Sequence, residues 1–366
     1  MENAGQVPTA QTPPAPGSTA LAELGGWPGV LTGLTAGEDL SRQVARAAMA
    51  EILAGEATAA QIAGFVIALR AKGETTDEMV GMTSAMLDAS MPLTVPLHAV
   101  DIVGTGGSGH RRKHALNVST MASFVASAAG ATVCKHGNYR ASSTSGAFDF
   151  LTALGLKVDL DGTAVQTCLA ETGLGFALAR LFHPAMRHAG PVRAELGVPT
   201  VFNLLGPIAH PGRVRRQLIG TANEALARQL ADVCFERGVD RVWVVTGAGG
   251  LDELSTTGPS VIYDVGPEGV ERRELDLRFL GITPPDSMDA LSGGSAEENV
   301  EIFDAILTGR ETGPRRDIVV LNAGAALVVA GVVNDLATGI RQASNAIDDG
   351  RALAKLDALR SVTNRL

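Results

Sequence analysis

Between residues 40 and 90 the apolar positions recur at helical spacing. Val44, Ala48, Ile52 and Leu53 mark one face over residues 40–53. Thr58 with Gln61, and Thr75 with Glu78, set a hydroxyl three residues ahead of a side chain able to reach back to its backbone N–H, the pattern of a capping box. The first pair precedes Ile62, Phe65, Val66 and Leu69; the second precedes Met79, Met82 and Met86. These positions predict a small all-helical unit whose methionines fill its core rather than line a cofactor.

Past Pro92 and Pro96 the pattern changes. Short apolar runs at 99–103, 131–134, 176–178, 217–220, 241–246 and 261–265 read as strands. Helical stretches lie between and after them: one opening at Asn117, one carrying Phe148, Leu151 and Leu154, and others at 163–172, 191–196, 223–237, 295–307, 317–330 and 340–359. The stretch 317–330 is apolar almost all round and so reads as buried. Alternation of this kind predicts an α/β domain with a mainly parallel central sheet flanked by helices. The expected division is a Pro/Ala-rich disordered tail over 1–26, a helical domain over 27–98 joined by about 190–205, and an α/β domain over 99–366.

The polar positions of this larger domain gather at strand ends. Gly104, Gly106, Gly107 and Gly109 follow the first strand and let the backbone turn sharply beside a ligand. Asn117-Val-Ser-Thr120 opens a helix whose free N–H groups and dipole favour an anion. The second strand leads to Lys135-His-Gly-Asn138 and the hydroxyl-rich Ser142-Ser-Thr-Ser-Gly146. Two such strand–loop–helix units form one crevice above a parallel sheet. Taken alone, the glycine loop fits an ordinary turn or a dinucleotide site as well as a phosphate site. Asp252 and Glu253 stand in a glycine-rich loop just past the strand 241–246, where carboxylates hold Mg²⁺ without a full protein cage.

Composition narrows the field. A net charge of −9 over 366 residues argues against nucleic acid or an anionic membrane as partner. Cys134, Cys168 and Cys234 sit in apolar segments without metal-ligand spacing, as reduced core residues of a cytoplasmic protein do. No apolar run reaches membrane-spanning length, and the N-terminus has no secretory-signal pattern.

The segments Gly104 to Gly109, Asn117-Val-Ser-Thr120 and Lys135-His-Gly-Asn138 resemble, in order, the signature of the anthranilate phosphoribosyltransferases, which have a nucleoside phosphorylase/phosphoribosyltransferase-type fold. Arg187 through Arg193, Phe202-Asn-Leu-Leu-Gly-Pro207 and Gly250-Leu-Asp-Glu-Leu-Ser255 extend the resemblance. It implies transfer of phosphoribose from phosphoribosyl pyrophosphate to anthranilate, Mg²⁺ as cofactor, and a homodimer formed by the helical domain. It implies a donor site at Gly104, Thr105, Gly106, Gly107, Ser108, Asn117, Ser119, Thr120, Lys135 and Ser143, and an acceptor site at Gly104, His136, Asn138, His183 and Arg193. Ser119, Asp252 and Glu253 match the metal-binding positions.

Several positions depart from the family pattern. Ser108 stands where the family has an aspartate, the basic segment 110–114 lengthens the loop, Tyr139-Arg140 replaces an arginine, and Ala147-Phe148 replaces two small residues. Ala248 and Gly249 stand where the family has an acidic residue. These departures keep open a related transferase acting on another aromatic acid or amine, and a non-catalytic regulator that binds the donor. A nucleoside phosphorylase shares the architecture but lacks the Lys-His-Gly-Asn and Asn-Leu-Leu-Gly-Pro segments.

Overall fold

Both capping boxes form, and one of them does more than end a helix. The computed structural model describes residues 20–106, 116–139 and 144–366. Thr58 and Gln61 cap the helix Ala59–Lys72 reciprocally, and Thr75 and Glu78 cap Thr76–Asp88. Glu78 is fully buried; beyond the Thr75 N–H it accepts from the Leu40 N–H at 2.8 Å and from Lys72 Nζ at 3.0 Å. A buried carboxylate with this many donors ties three segments of the helical unit together. The helix Arg42–Ala54 crosses Thr76–Asp88 so closely at Gly81 that a Cβ there would lie 2.2 Å from the Arg42 carbonyl oxygen. Met79, Met82 and Met86 are buried core residues, as their spacing predicts.

The larger part is a seven-stranded sheet in the order β3-β2-β1-β4-β5-β6-β7. Its strands are β1 Val100–Gly104, β2 Val133–Gly137, β3 Leu174–Leu178, β4 Arg216–Gly220, β5 Arg241–Thr246, β6 Ser260–Gly266 and β7 Gly269–Leu275. The first five run parallel, and β6 and β7 are antiparallel. Both faces of the sheet are covered. Leu218, Trp243 and Val245 join a core that includes the helices Val118–Ala128 and Pro314–Ala330, while Ile219, Val242 and Val244 join a second core. That second core is shared with the helical unit and with Ala189, Val192, Val201, Phe202, Leu205 and Ile208. The helical unit therefore packs on one face of the sheet, with the 189–208 excursion beside it.

Phe124 lies 5.5 Å from Phe176 and 5.6 Å from Phe303 between ring centroids. Each buried phenyl contributes about 1.5–3 kcal/mol, and the group fixes the helix Val118–Ala128, whose N-terminus faces the crevice. Pro314–Ala330 is buried continuously from Ile318 to Val329, as its all-round apolar pattern predicts.

Four expectations change. The second strand is Val133–Gly137, so Lys135 and His136 belong to the strand instead of following it. The stretch 340–359 is two helices, Leu336–Asp348 and Arg351–Arg365, broken where Gly350 adopts a φ of +82°. Leu21–Leu24 forms a 3-10 turn with Leu21 buried and the helix Gly26–Thr35 follows, so folded structure begins inside the stretch read as tail; residues 1–19 lie outside the described residues. The β6–β7 hairpin adds an antiparallel edge, where residues 271–274 are exposed and too polar to signal a strand. Among the described residues no helix is long and apolar enough to cross a membrane.

Candidate functional site

Three glycines at the ends of adjacent strands shape the floor of the crevice. A Cβ on Gly104, which ends β1, would lie 2.4 Å from Asp252 Oδ2. On Gly220, ending β4, it would lie 1.7 Å from the Asp252 carbonyl oxygen; on Gly247, after β5, 2.3 Å from the Glu253 carbonyl oxygen. No side chain fits at these points, and the segment 251–254 lies directly across the strand ends. Asn322, on the buried helix Pro314–Ala330, accepts from the Leu254 N–H at 3.0 Å and donates to the Leu254 carbonyl at 2.9 Å. Asp252 and Glu253 are thereby presented as buried carboxylates from a fixed backbone. Gly220→Ala is expected to displace this segment, destabilise the fold by about 1–3 kcal/mol or more, and abolish any metal-dependent activity. A thermal melt within a degree of the parent, with activity retained, would contradict it.

The carboxylates meet the glycine loop. Gly106 donates its N–H to Asp252 Oδ2 at 2.9 Å, and Thr105 donates its N–H to the Gly220 carbonyl at 2.8 Å. Across β1, the buried Lys135 Nζ donates to the Ile102 carbonyl and to Ser119 Oγ. Ser119 and Thr120 stand in the first turn of Val118–Ala128, and Thr120 Oγ1 is buried without a hydrogen-bond partner among the described residues. The N-terminal end of this helix and Lys135 thus bring positive charge to the strand ends beside Ser119 and Thr120, a setting that favours an anion.

Asn117 takes a different part from the one its position suggests. It precedes the helix without a side-chain cap bond. Its Oδ1 accepts instead from Ser145 Oγ at 2.8 Å and from Asn299 Nδ2 at 3.0 Å. Ser145 and Asn299, both buried, join the second hydroxyl-rich loop and the helix Ala296–Leu307 to the anion site. Ser145 lies in the hydroxyl-rich stretch that the sequence marks, but Asn299 does not stand out, because the three partners are brought together only by the fold. Gly107, Ser108 and Ser143 lie outside the described residues, as do the basic segment 110–114 and Arg140.

Beside the anion site is a cluster of buried imidazoles. His136 lies 5.2 Å from His183 and 5.6 Å from His210 between ring centroids. His210 accepts from the Gly212 N–H at Nδ1, 3.0 Å away, so it carries its proton on Nε2, which donates to the Cys134 carbonyl at 2.9 Å. It is a neutral imidazole of fixed tautomer. The sequence places His210 only in a turn; its place under His136 follows from the chain's return between the 201–208 helix and β4. The Nε2 atoms of His136 and His183 are buried without hydrogen-bond partners among the described residues.

Burial first, then neighbouring His210, lowers His136 well below the usual 6.5. Burial lowers His183 to about 4 and lowers His210 as well. A histidine whose folded-state pKa is depressed binds its proton more readily once the chain unfolds, so stability is complete above about 6.5 and falls with pH down to the folded value. For His183 alone the loss between these limits is about 3 kcal/mol. Melting temperature should fall from pH 7 to pH 5. A histidine NMR titration of His183 centred near 6.5 would contradict this.

Asn138 follows His136 at the end of β2, and Arg193 stands on a separate short helix against Phe202. Asn138 is exposed at the end of β2, and its Oδ1 accepts from the Tyr139 N–H at 2.9 Å. Arg193 projects from the helix Gly190–Leu196 with its guanidinium 5.2 Å from the Phe202 ring centroid. It is half-buried, makes no ion pair among the described residues, and burial lowers its pKa. A desolvated cation stacked on an aromatic face and without a counter-ion is matched to a planar carboxylate. Phe148, a departure from the family pattern, is fully buried and packs near Gly137 and 6.0 Å from the Tyr139 ring, so it fills the core beneath β2.

No group of three His, Cys, Asp or Glu among the described residues forms a cage for a metal. Asp252 and Glu253 nevertheless fit Mg²⁺, which binds through one or two carboxylates and takes its other ligands from water and phosphate.

The α/β-domain model of the glycosyl transferase family matches residues 97–353, and the family's helical bundle domain matches 28–90. An anthranilate phosphoribosyltransferase of a Nocardioides species is 47% identical, over 93% of this chain and 99% of that relative. That of Chloroflexus aurantiacus is 44% identical over 91% of this chain and 97% of its own. Among solved structures, anthranilate phosphoribosyltransferase from Thermus thermophilus superposes with a TM-score of 0.85 at 38% identity, covering 92% of this chain and 99% of that one. The Saccharomyces cerevisiae enzyme in complex with PRPP and Mg superposes at 0.84 with 26% identity, covering 94% and 99%.

Proposed function

The chain belongs to the anthranilate phosphoribosyltransferase family, and on that premise we infer how its residues carry out the family's reaction. The reaction transfers 5-phosphoribose from phosphoribosyl pyrophosphate to the amine of anthranilate and releases pyrophosphate, in tryptophan biosynthesis. One observation carries the residue assignment: the acidic segment 251–254 is packed by Gly104, Gly220 and Gly247 against the phosphate loop, with the Gly106 N–H on Asp252.

In this reading the backbone at Gly104, Thr105 and Gly106, with Asn117, Ser119, Thr120 and Lys135, holds the donor's phosphates. Asp252 and Glu253 would hold Mg²⁺ and Ser119 would contribute to a second metal site; the bound ion would supply positive charge to neutralise the leaving pyrophosphate. Gly104, His136, Asn138 and His183 line the acceptor position, and Arg193 takes the anthranilate carboxylate. The aromatic amine is neutral at pH 7, and neutral imidazoles beside it leave its lone pair available for the anomeric carbon. Orientation and charge placement therefore supply the rate acceleration. The helical unit, residues 27–98 with about 190–205, and the α/β domain over 99–366 flank this crevice. A cytoplasmic homodimer is part of the same proposal, carried by the family resemblance.

The test follows the fluorescence of anthranilate in the presence of the full chain and phosphoribosyl pyrophosphate. Fluorescence should fall only with Mg²⁺, stop on chelation and resume when Mg²⁺ is restored. Consumption that continues in excess chelator would remove the metal assignment, and no consumption with Mg²⁺ present would remove the acceptor.

A further inference from the structure

The sheet is incomplete at one place. β1 pairs with β4 through five registered positions from Val100 to Gly104, and β2 pairs with β3 through five from Val133 to Gly137. Between β1 and β2 the only registered pair is Val100 with Val133. Above that point side chains take the place of registered pairs. The His136 N–H donates to Asp101 Oδ1 at 3.0 Å, and Lys135 Nζ donates to the Ile102 carbonyl.

The second oxygen of Asp101 is used as well. Gln217, its neighbour on β4, donates Nε2 to Asp101 Oδ2 at 3.1 Å and to the Pro207 carbonyl at 2.9 Å. Asp101 is fully buried and Gln217 nearly so. Pro207 lies in the helix Val201–Ile208, which also carries Phe202 beneath Arg193. On either side of Pro207, the backbone of Gly206 faces His136 and that of Ala209 faces His183, each favouring the charged imidazole against the larger effect of burial. One carboxylate and one amide thus connect the backbone of His136 to the segment that closes the opposite side of the acceptor position.

Burying a carboxylate is costly, and a continuous parallel ladder would satisfy the same N–H with a neutral carbonyl. The arrangement gives up that cheaper solution at the strand ends beside the acceptor position, where Lys135 and His136 are themselves buried. Resting on the acceptor-site reading above, we infer that Asp101 and Gln217 form a positioning bridge that links β1 to β2 where the registered pairing stops and sets the distance between His136 and the 206–209 segment.

The test compares Asp101→Asn and Gln217→Met with the parent in the full chain. An asparagine presents an N–H₂ to one of two donors, and a methionine keeps length while losing both bonds. Acceptor KM should rise about tenfold in Asp101→Asn and by several-fold in Gln217→Met, with donor KM within about twofold, since charge-assisted bonds are the stronger ones lost. A merely structural role lowers kcat with the folded fraction and leaves both KM values in place; that result, or an equal rise in both, overturns the bridge. Amide exchange at His136 gives a readout that does not depend on turnover. It should accelerate about tenfold in Asp101→Asn while Val244 on β5 is unchanged. Parent-like exchange at His136 overturns the bridge even where anthranilate is consumed normally, and accelerated exchange supports it even where anthranilate proves not to be the acceptor. Should Asp101→Asn not fold, the KM split in Gln217→Met decides.

Discussion

Asp252→Asn should lower kcat/KM by about 10²–10³-fold while leaving the fold in place. The asparagine keeps an oxygen to accept the Gly106 N–H, so the bond that docks the segment on the glycine loop survives. What is lost is a negative charge at the strand ends, where the proposed site brings the divalent ion and the donor pyrophosphate together. A raised Mg²⁺ requirement should accompany the loss, because Glu253 remains as a single carboxylate. Steady-state rates over an Mg²⁺ titration read both effects, and activity within about twofold of the parent at ordinary Mg²⁺ would remove Asp252 from the metal site.

Arg193→Ala should raise anthranilate KM about 30-fold, equivalent to about 2 kcal/mol for a charge-assisted pair, with donor KM unchanged. Arg193→Lys should recover little of it, because a point charge cannot reproduce the planar fork. Stability should hardly move. The guanidinium is half-buried without a counter-ion among the described residues, so its removal relieves desolvation while forfeiting the contact with Phe202. A KM split without a fall in melting temperature therefore distinguishes carboxylate recognition from a packing role. A parent-like anthranilate KM in the alanine variant would sink the assignment.

The helical unit was legible because its signals are local. Thr58 with Gln61 and Thr75 with Glu78 sit within single turns, and the methionines repeat at helix spacing. The parallel strands were legible for the same reason: each is a short apolar run, buried on both faces. The β7 strand was not, because an exposed edge strand is held by backbone bonds to β6 and carries charged residues on its surface. The break at Gly350 was hidden by apolar periodicity that continues on both sides of it.

The site divides along the same line. Its glycine loop, Lys135 and the Asp252–Glu253 pair are short motifs, ambiguous singly and legible in combination through the family resemblance. Its supports come from residues far apart in the chain. Gly220 is a glycine because the Asp252 carbonyl oxygen occupies the place of its Cβ, and Asn322 is polar within an apolar helix because it holds Leu254. Asn117 is bonded to Ser145 and Asn299, and His136 to Asp101, across separations that no local pattern shows. Phe148 illustrates the converse: a sequence departure beside a motif proves to be core packing.

The most direct measurement is pyrophosphate release from phosphoribosyl pyrophosphate with Mg²⁺, followed with and without anthranilate. The account predicts release that depends on anthranilate and matches its consumption one for one. Release at the same rate without anthranilate, or none while the donor is bound, would contradict it.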